Sequence, residues 1–381
     1  MAVNTLTEVI PRLLAQGLLA LRQNCVMPSM VNNDYSTMAA EKGAAINVPI
    51  PSAVTAVPVT HAVTAPEPGS SVPTSAVITL DQWYEAAFFL SDKDLAEAIS
   101  GVIPMQASEA IKALGNNVDS AIMTLYKKIY GFAGSPGTTP FSVSTVEATE
   151  ARKVLNNQLA PLDSRRFIID PDAEANALGL RAFQDMSFSG SAEGIREGKI
   201  NRKLGFDWFM DQNAPRHTTG SQNGAYTTNN AGYALGVKTV TTITGAGTIA
   251  IGDQFTIAGD SQVYVATALM AAAGALAFEP GLKVVIPAAA TAITVKGAAS
   301  TIYAQNLAFH RDCFAFASRP LADNTDGLGN MIQAAVDPVS GLTLRLEVVR
   351  EYKRTRFSYD ILYGCQCVRP ELGVRLWGDN L

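Results

Sequence analysis

Apolar positions fall into three rhythms along the chain, each confined to its own stretch. Leu6, Val9, Ile10, Leu13, Leu14, Leu18 and Leu21 recur at helical spacing, which predicts an amphipathic N-terminal helix capped by Asn4 or Thr7. Such a helix packs either on its own core or, as an arm, on a neighbouring subunit. A second helical rhythm opens at Ser91-Asp92-Lys93-Asp94 with Leu95, Ala98, Ile99 and Val102, and then meets Pro104, which is expected to break or kink it. It resumes through Ala107, Ala110, Ile111, Leu114, Val118, Ala121, Ile122, Leu125 and Ile129, with Lys127 and Lys128 in the last turn and Gly131 beyond. That predicts a helix of about 25 residues, close to 40 Å at 1.5 Å each, long enough to serve as a spine.

The other rhythms are those of strands. Residues 46–77 alternate Val, Ile, Ala and Thr, interrupted by Pro49, Pro51, Pro58, Pro66, Pro68 and Pro73. Proline cannot donate to a ladder, so this segment reads as an extended ribbon or edge hairpin that needs a surface to lie on, the next subunit in an oligomer. Residues 145–159 read as a helix, 166–169 as a short buried strand stopped by Pro171, and 172–180 as another helix. From 223 to 299 charged groups nearly vanish, and short strands are predicted at 237–243, 248–251, 254–257, 263–266, 275–279 and 292–295, separated by Gly, Pro or Asp turns. This is an inserted all-β module of the size of a small barrel or sandwich. Residues 307–316 are apolar, and 342–349 alternate at period two, with 352–354 as a turn and 356–363 as the returning strand of a long hairpin.

Composition sharpens this picture toward an oligomer. The 381 residues are 48% hydrophobic and only 17% charged, against roughly 25% charged in ordinary soluble domains, which favours buried subunit interfaces. The net charge is −5 with no polybasic run, so tight, salt-sensitive nucleic-acid binding is not expected. Cys25, Cys313, Cys365 and Cys367 form no CxxC pair and predict no disulfide framework. No basic segment precedes the first apolar stretch and no apolar window reaches about 18 residues, so neither a secretory signal nor a membrane helix is predicted.

Catalytic chemistry finds no constellation. Residues 190–200 contain Gly198-Lys199 but lack the earlier glycine of a phosphate loop and carry Ile200 where Ser or Thr would hold magnesium. Gly245-Ala246-Gly247 opens no helix, and there is no GxSxG elbow. His61, His217 and His310 lie in three separate segments, and His310 beside Asp312 and Cys313 reads as a structural contact. Catalytic, cofactor and metal residues are therefore set at none, and the chain is expected not to be an enzyme. A hydrolase with an undetected site would require a cleft of converging titratable groups.

Several runs resemble a known family. Glu197-Gly198-Lys199-Ile200, Leu204-Gly205-Phe206-Asp207 and Asn213-Ala214-Pro215-Arg216-His217-Thr218-Thr219-Gly220 resemble the coat proteins of short-tailed temperate phages that assemble around a scaffolding protein. Gly252-Asp253-Gln254-Phe255-Thr256-Ile257-Ala258-Gly259 is similar to that family's insertion domain. Phe309-His310-Arg311-Asp312, Arg319-Pro320-Leu321, Val349-Arg350-Glu351-Tyr352, Asp360-Ile361-Leu362-Tyr363-Gly364 and Arg369-Pro370-Glu371 extend the likeness to the C terminus. It is most specific from residue 197 onward; the first 180 residues agree in layout.

The resemblance implies the α+β tailed-phage major capsid fold with an inserted small all-β domain. Its parts would be an N-terminal arm (1–45), an extended β-ribbon loop (46–80), the spine helix and peripheral domain (81–145), the axial domain (146–222 and 300–340), the insertion (223–299), and the peripheral hairpin with the C terminus (341–381). The implied function is a major capsid protein forming pentamers and hexamers in an icosahedral procapsid and mature head. Its implied partners are a scaffolding protein, a portal protein at one vertex and enclosed double-stranded DNA. The implied location is the virion, after assembly in the host cytoplasm. Subunit-interface candidates are Leu13 and Leu14 on the arm, Val48, Ile50 and Val57 on the ribbon, and Lys238, Asp253 and Asp260 on the insertion. The insertion looks shorter than the family's usual barrel, and for a charged contact loop it offers only those three plus Glu279, Lys283 and Lys296. A tail-tube or decoration protein is the alternative, since it too would be β-rich, charge-poor and oligomeric.

Overall fold

The computed structural model describes residues 14, 25–35, 45–51, 56, 61, 73–93, 102–185, 190, 193–321, 331–337 and 341–380. In chain order, a short helix α1 (Met27–Met30) precedes strands β1 (Ala45–Ile50), β2 (Thr74–Thr79) and β3 (Gln82–Ser91). The long helix α2 (Val102–Thr124) tightens into a 3-10 turn (Leu125–Lys128) and leads to β4 (Gly131–Ala133). Then come α3 (Val146–Asn157), β5 (Arg165–Ile169), α4 (Pro171–Gly179), α5 (Arg181–Gln184), α6 (Glu193–Glu197), β6 (Asp207–Met210) and β7 (Arg216–Thr218). Six short strands follow: β8 (Tyr226–Thr227), β9 (Thr239–Thr241), β10 (Gln254–Ile257), β11 (Val263–Ala266), β12 (Ala275–Glu279) and β13 (Ala292–Val295). The chain closes with β14 (Ile302–His310), β15 (Phe314–Arg319), β16 (Met331–Val336), β17 (Thr343–Glu351), β18 (Arg354–Cys367) and β19 (Gly373–Asn380).

Helix α2 is the spine that its periodicity predicts. Ala107, Ile111, Leu114, Val118 and Ile122 form one buried stripe on it, facing the main core. Pro104 does not break this helix. It lies within the first turn, where backbone N–H groups have no intrahelical acceptor to lose. The rhythm expected over 94–101 lies outside the described residues.

Two sheets pack with α2. One runs in the order β4-β19-β14-β5-β6, with β7 also on β14. Its central strand β14 is buried at every position from Tyr303 to His310, including the polar Gln305 and Asn306, whose side chains bond to Arg375 and to the Asp170 N–H. The other sheet runs β15-β18-β17-β16, with β3 along the free side of β18. The β17–β18 hairpin forms as expected, but its turn is the two residues Tyr352 and Lys353, and Arg354 already pairs with Glu351. Strands β15 and β16 belong to this hairpin sheet, and β19 returns to the sheet of β14. The boundary drawn at 340 therefore cuts across both sheets, while that at 300 falls between the barrel and β14. Pairings between strands this far apart in sequence leave no local pattern.

Residues 226–295 form a third sheet, β8-β13-β10-β11-β12-β9. It closes on itself: Asn229 N–H donates to Thr241 O at 2.9 Å and Ile243 N–H to Thr227 O at 3.0 Å, joining the two end strands. The result is a six-stranded barrel around its own core of Phe255, Tyr264, Leu276, Phe278 and Ile293 among others. Four of the expected strands stand at the predicted bounds. Residues 248–251 contribute only the isolated bridge Ile249↔Met270, and β8 was not foreseen because it is two residues long.

Candidate functional site: assembly surfaces

A subunit that works by association carries its function on the faces it leaves open. The ribbon forms the antiparallel hairpin β1–β2, in register from Ala45↔Thr79 to Ile50↔Thr74, with Pro49 opposite Ser75. Among the described residues this sheet has no third strand, so both of its outer edges stay open. Its base is anchored on the same chain: Ile46, Val48, Ile78 and Leu80 pack against Ala315, Ala317 and Val368. The anchoring is tight, since a Cβ on Gly364 of β18 would stand 2.2 Å from Thr79 O. Towards the tip, Pro51, Ala56, His61 and Pro73 are exposed.

The interface candidates separate accordingly. Val48 is 4% exposed and Leu14, which is helical, 2%. Both pack into the protomer's own cores. Asp253 is fully buried inside the protomer. Ile50 is half-buried at the outer end of β1, Asp260 is half-buried, and Lys238 is exposed. Leu13 and Val57 lie outside the described residues. Asp260 accepts from Gln262 N–H at 2.8 Å and from the Tyr264 hydroxyl, and Lys238 pairs with Glu279 at 3.1 Å. Lys296 lies over the Phe132 ring, so the insertion's sparse charge is largely engaged within the chain.

The outer face of the β3–β18–β17 sheet, which the sequence reading did not single out, is a lattice of charge pairs. Arg345 makes a bidentate contact with Asp360 at 2.9 and 2.5 Å, and the Trp83 indole N–H donates to the same carboxylate at 3.1 Å. Glu85 accepts from Arg356 and Ser358, and Arg354 pairs with Glu351; at the hairpin end, on the opposite face, Arg350 reaches Asp92 at 2.7 Å. Within the lattice Trp83 and Phe89 stay more than half exposed, a large apolar presence on a strand whose outer edge adds no further partner among the described residues. Alternation on β3 could have shown this: Trp83, Glu85, Ala87 and Phe89 share one side, and Ala86, Phe88 and Leu90 pack on the core.

Among the described residues, no group of three or more His, Cys, Asp or Glu could hold a metal, and no helix is long and apolar enough to cross a membrane. His310 accepts from the Asp312 N–H at 3.2 Å as a local cap. The most perturbed carboxylate is structural: Asp119 of α2 is fully buried and accepts from Val26 and Met27 N–H at 2.9 and 3.2 Å. Burial raises it to about 7, and it pins the segment leading into α1 to the spine.

A long spine helix packed with two sheets, together with a two-stranded hairpin, is a fold this chain shares with solved phage structures. Two solved structures share it over nine-tenths of this chain. A protein of Mycobacterium phage Che8 superposes with a TM-score of 0.53 at 14% identity, covering 92% of this chain and 90% of its own. The capsid structure of the cyanophage P-SCSP1u gives 0.52 at 12% identity, with 93% and 88% covered. At these identities the shared property is the fold. No family model matches the sequence, and no curated protein matches it.

Proposed function

We propose that the chain is a major capsid protein whose copies form pentamers and hexamers and close an icosahedral shell around double-stranded DNA. The observation that carries this reading is the fold shared along almost the whole length of both chains with the cyanophage capsid structure. A projecting hairpin with open edges supports it, because closed symmetry repeats one such contact at every subunit. In this reading the hairpin beyond Ile50, including Val57, lies on a neighbour, and Leu13 belongs to an arm that does the same. Lys238 and Asp260 are the insertion's outward contacts. A scaffolding protein guides closure, a portal protein occupies one vertex, and the protein resides in the virion after assembly in the host cytoplasm. The likeness to coat proteins of short-tailed temperate phages, with their inserted β-domain, belongs to the same proposal. The tail-tube or decoration alternative lacks support from the spine-helix architecture.

The acidic balance fits a container that must release its contents. Shells of this chain are expected to lose DNA readily in high salt, and tight retention there would contradict the reading. The direct test is Val57→Asp, followed by thermal unfolding and sedimentation: a folded protomer that forms no shells is expected. Normal particles would remove the hairpin from the interface.

A further inference from the structure

His217 stands on β7, three residues before Gly220, where the chain leaves the body for the barrel. It is 2% exposed, and both ring nitrogens are engaged. Nε2 lies 2.8 Å from Asp253 Oδ1 in the barrel, and Nδ1 lies 3.0 Å from the Tyr126 hydroxyl at the end of the spine. A carboxylate only accepts, so Nε2 carries the hydrogen; burial holds the imidazole below its ordinary value, so near neutral pH it carries no second proton and Nδ1 accepts from the Tyr126 hydroxyl. The other oxygen of Asp253 accepts from Gly220 N–H at 3.0 Å and Ala250 N–H at 2.7 Å.

The same seam holds Arg375 of β19, fully buried, donating to Gln305 Oε1 at 3.0 Å and to Gly252 O at 2.5 Å. Its guanidinium lies over the rings of Tyr126 and Trp377. Trp377 donates to Gln254 Oε1 at 2.7 Å, and the amide nitrogen of Gln254 donates to Ile129 O and Gly131 O at 3.2 and 3.0 Å. The backbones are in close approach: a Cβ on Gly252 (φ +94°) would lie 3.0 Å from Lys127 Cγ and 3.3 Å from His217 Cε1. The barrel thus meets the spine, β7 and β19 through a polar cluster, while its apolar core remains separate from the main one.

We propose that this cluster is an acid-sensitive latch: neutral His217 clamps the barrel to the body, and its protonation frees the barrel while both apolar cores stay closed. The charges facing the imidazole are Asp253 from the barrel, Arg375 from β19 and Lys127 from the turn after the spine. With neutral histidine the buried charges of Asp253 and Arg375 balance; a proton on His217 adds a second buried cation and turns the Nδ1 acceptor into a donor facing Tyr126. Burial holds His217 below its ordinary value, with Arg375 and Lys127 acting the same way against Asp253. A histidine with a depressed folded value contributes stability that is complete above about pH 6.5 and is lost as pH falls below it. Acid therefore opens the latch and base does not. This inference stands whether or not the chain builds a shell.

The test is amide hydrogen exchange on the full-length protomer, corrected for intrinsic rates, between about pH 7.5 and about pH 5. Amides of Gly220 and Ala250, which donate to Asp253, are expected to lose protection about tenfold or more in acid, while Gly252, which donates to Ala266 O within the barrel, Tyr264 and Val265 in the barrel and Ile168 in the body keep theirs. In His217→Gln, whose amide can still donate and accept, the acid loss is expected to vanish. Junction protection unchanged in the wild type, or acid loss undiminished in the variant, overturns the proposal. If the variant does not fold, imidazole NMR of the wild type decides. A His217 signal titrating below about 6.5 in step with the Trp377 indole N–H is expected, and titration at or above that value overturns it.

Discussion

The barrel and the hairpin are both made of short, β-branched, charge-poor strands, yet they dispose of their edges in opposite ways. The barrel joins its first and last strands and encloses Phe255, Tyr264 and Phe278, so its ladder ends inside itself. The hairpin has two strands, which are at most marginally stable alone, and survives because Ile46, Val48, Ile78 and Leu80 sink into the body at its base. Beyond that base its edges have no partner strand among the described residues. The difference teaches that similar local sequence serves two ends: closure gives a module whose strand edges are satisfied within itself, and an open ribbon leaves edges that another strand can pair with.

The strongest way to break the comparison is Phe255→Ala. Loss of a fully buried ring from the barrel core costs about 3–5 kcal/mol, which should appear in urea unfolding and in barrel amide exchange while hairpin amides are unmoved. Ile78→Ala is the counterpart, with an expected cost of about 2–5 kcal/mol that strips protection from β1 and β2 and leaves the barrel intact. If either variant melts both regions together, the two are one cooperative unit and the contrast fails.

Asp119 sharpens it with a third kind of attachment. Its folded value, about 7, exceeds the ordinary carboxylate value, so the folded protein holds a proton that the unfolded chain releases. Its contribution to stability is therefore largest in mild acid and falls as pH rises towards 7, opposite in sign to that of His217. Asp119→Asn should flatten that fall in pH-dependent unfolding, and an unchanged slope would assign it elsewhere. The smallest effect is expected from Lys238→Ala, which removes an exposed ion pair with Glu279: under about 1 kcal/mol in thermal unfolding. A larger loss would mean that the barrel depends on its exterior.

Much of this was legible in the sequence, for reasons that differ by element. The spine showed because α2 is amphipathic over many turns, and β10 to β13 showed because each is a short run rich in apolar and β-branched residues bounded by turn residues. Pro104 misled because a proline marks a break only where a hydrogen bond is lost, and the helix starts at Val102. Strands β16 and β19 were missed: β19 carries Arg375 in a buried position, made tolerable by its hydrogen bonds to Gln305 and Gly252 and its stacking on aromatic rings, all from distant segments. Val48 and Asp253 read as surface because their segments are proline-rich or turn-like. What buries them, β15 for one and the seam at Gly220 for the other, lies far along the chain.

The central claim is that this protomer closes shells. Negative-stain electron microscopy of the purified protein, expressed with and without a candidate scaffolding protein, tests it most directly. Closed particles tens of nanometres across, regular only with the scaffold, are the expected result; persistent monomers or open tubes under both conditions would contradict it.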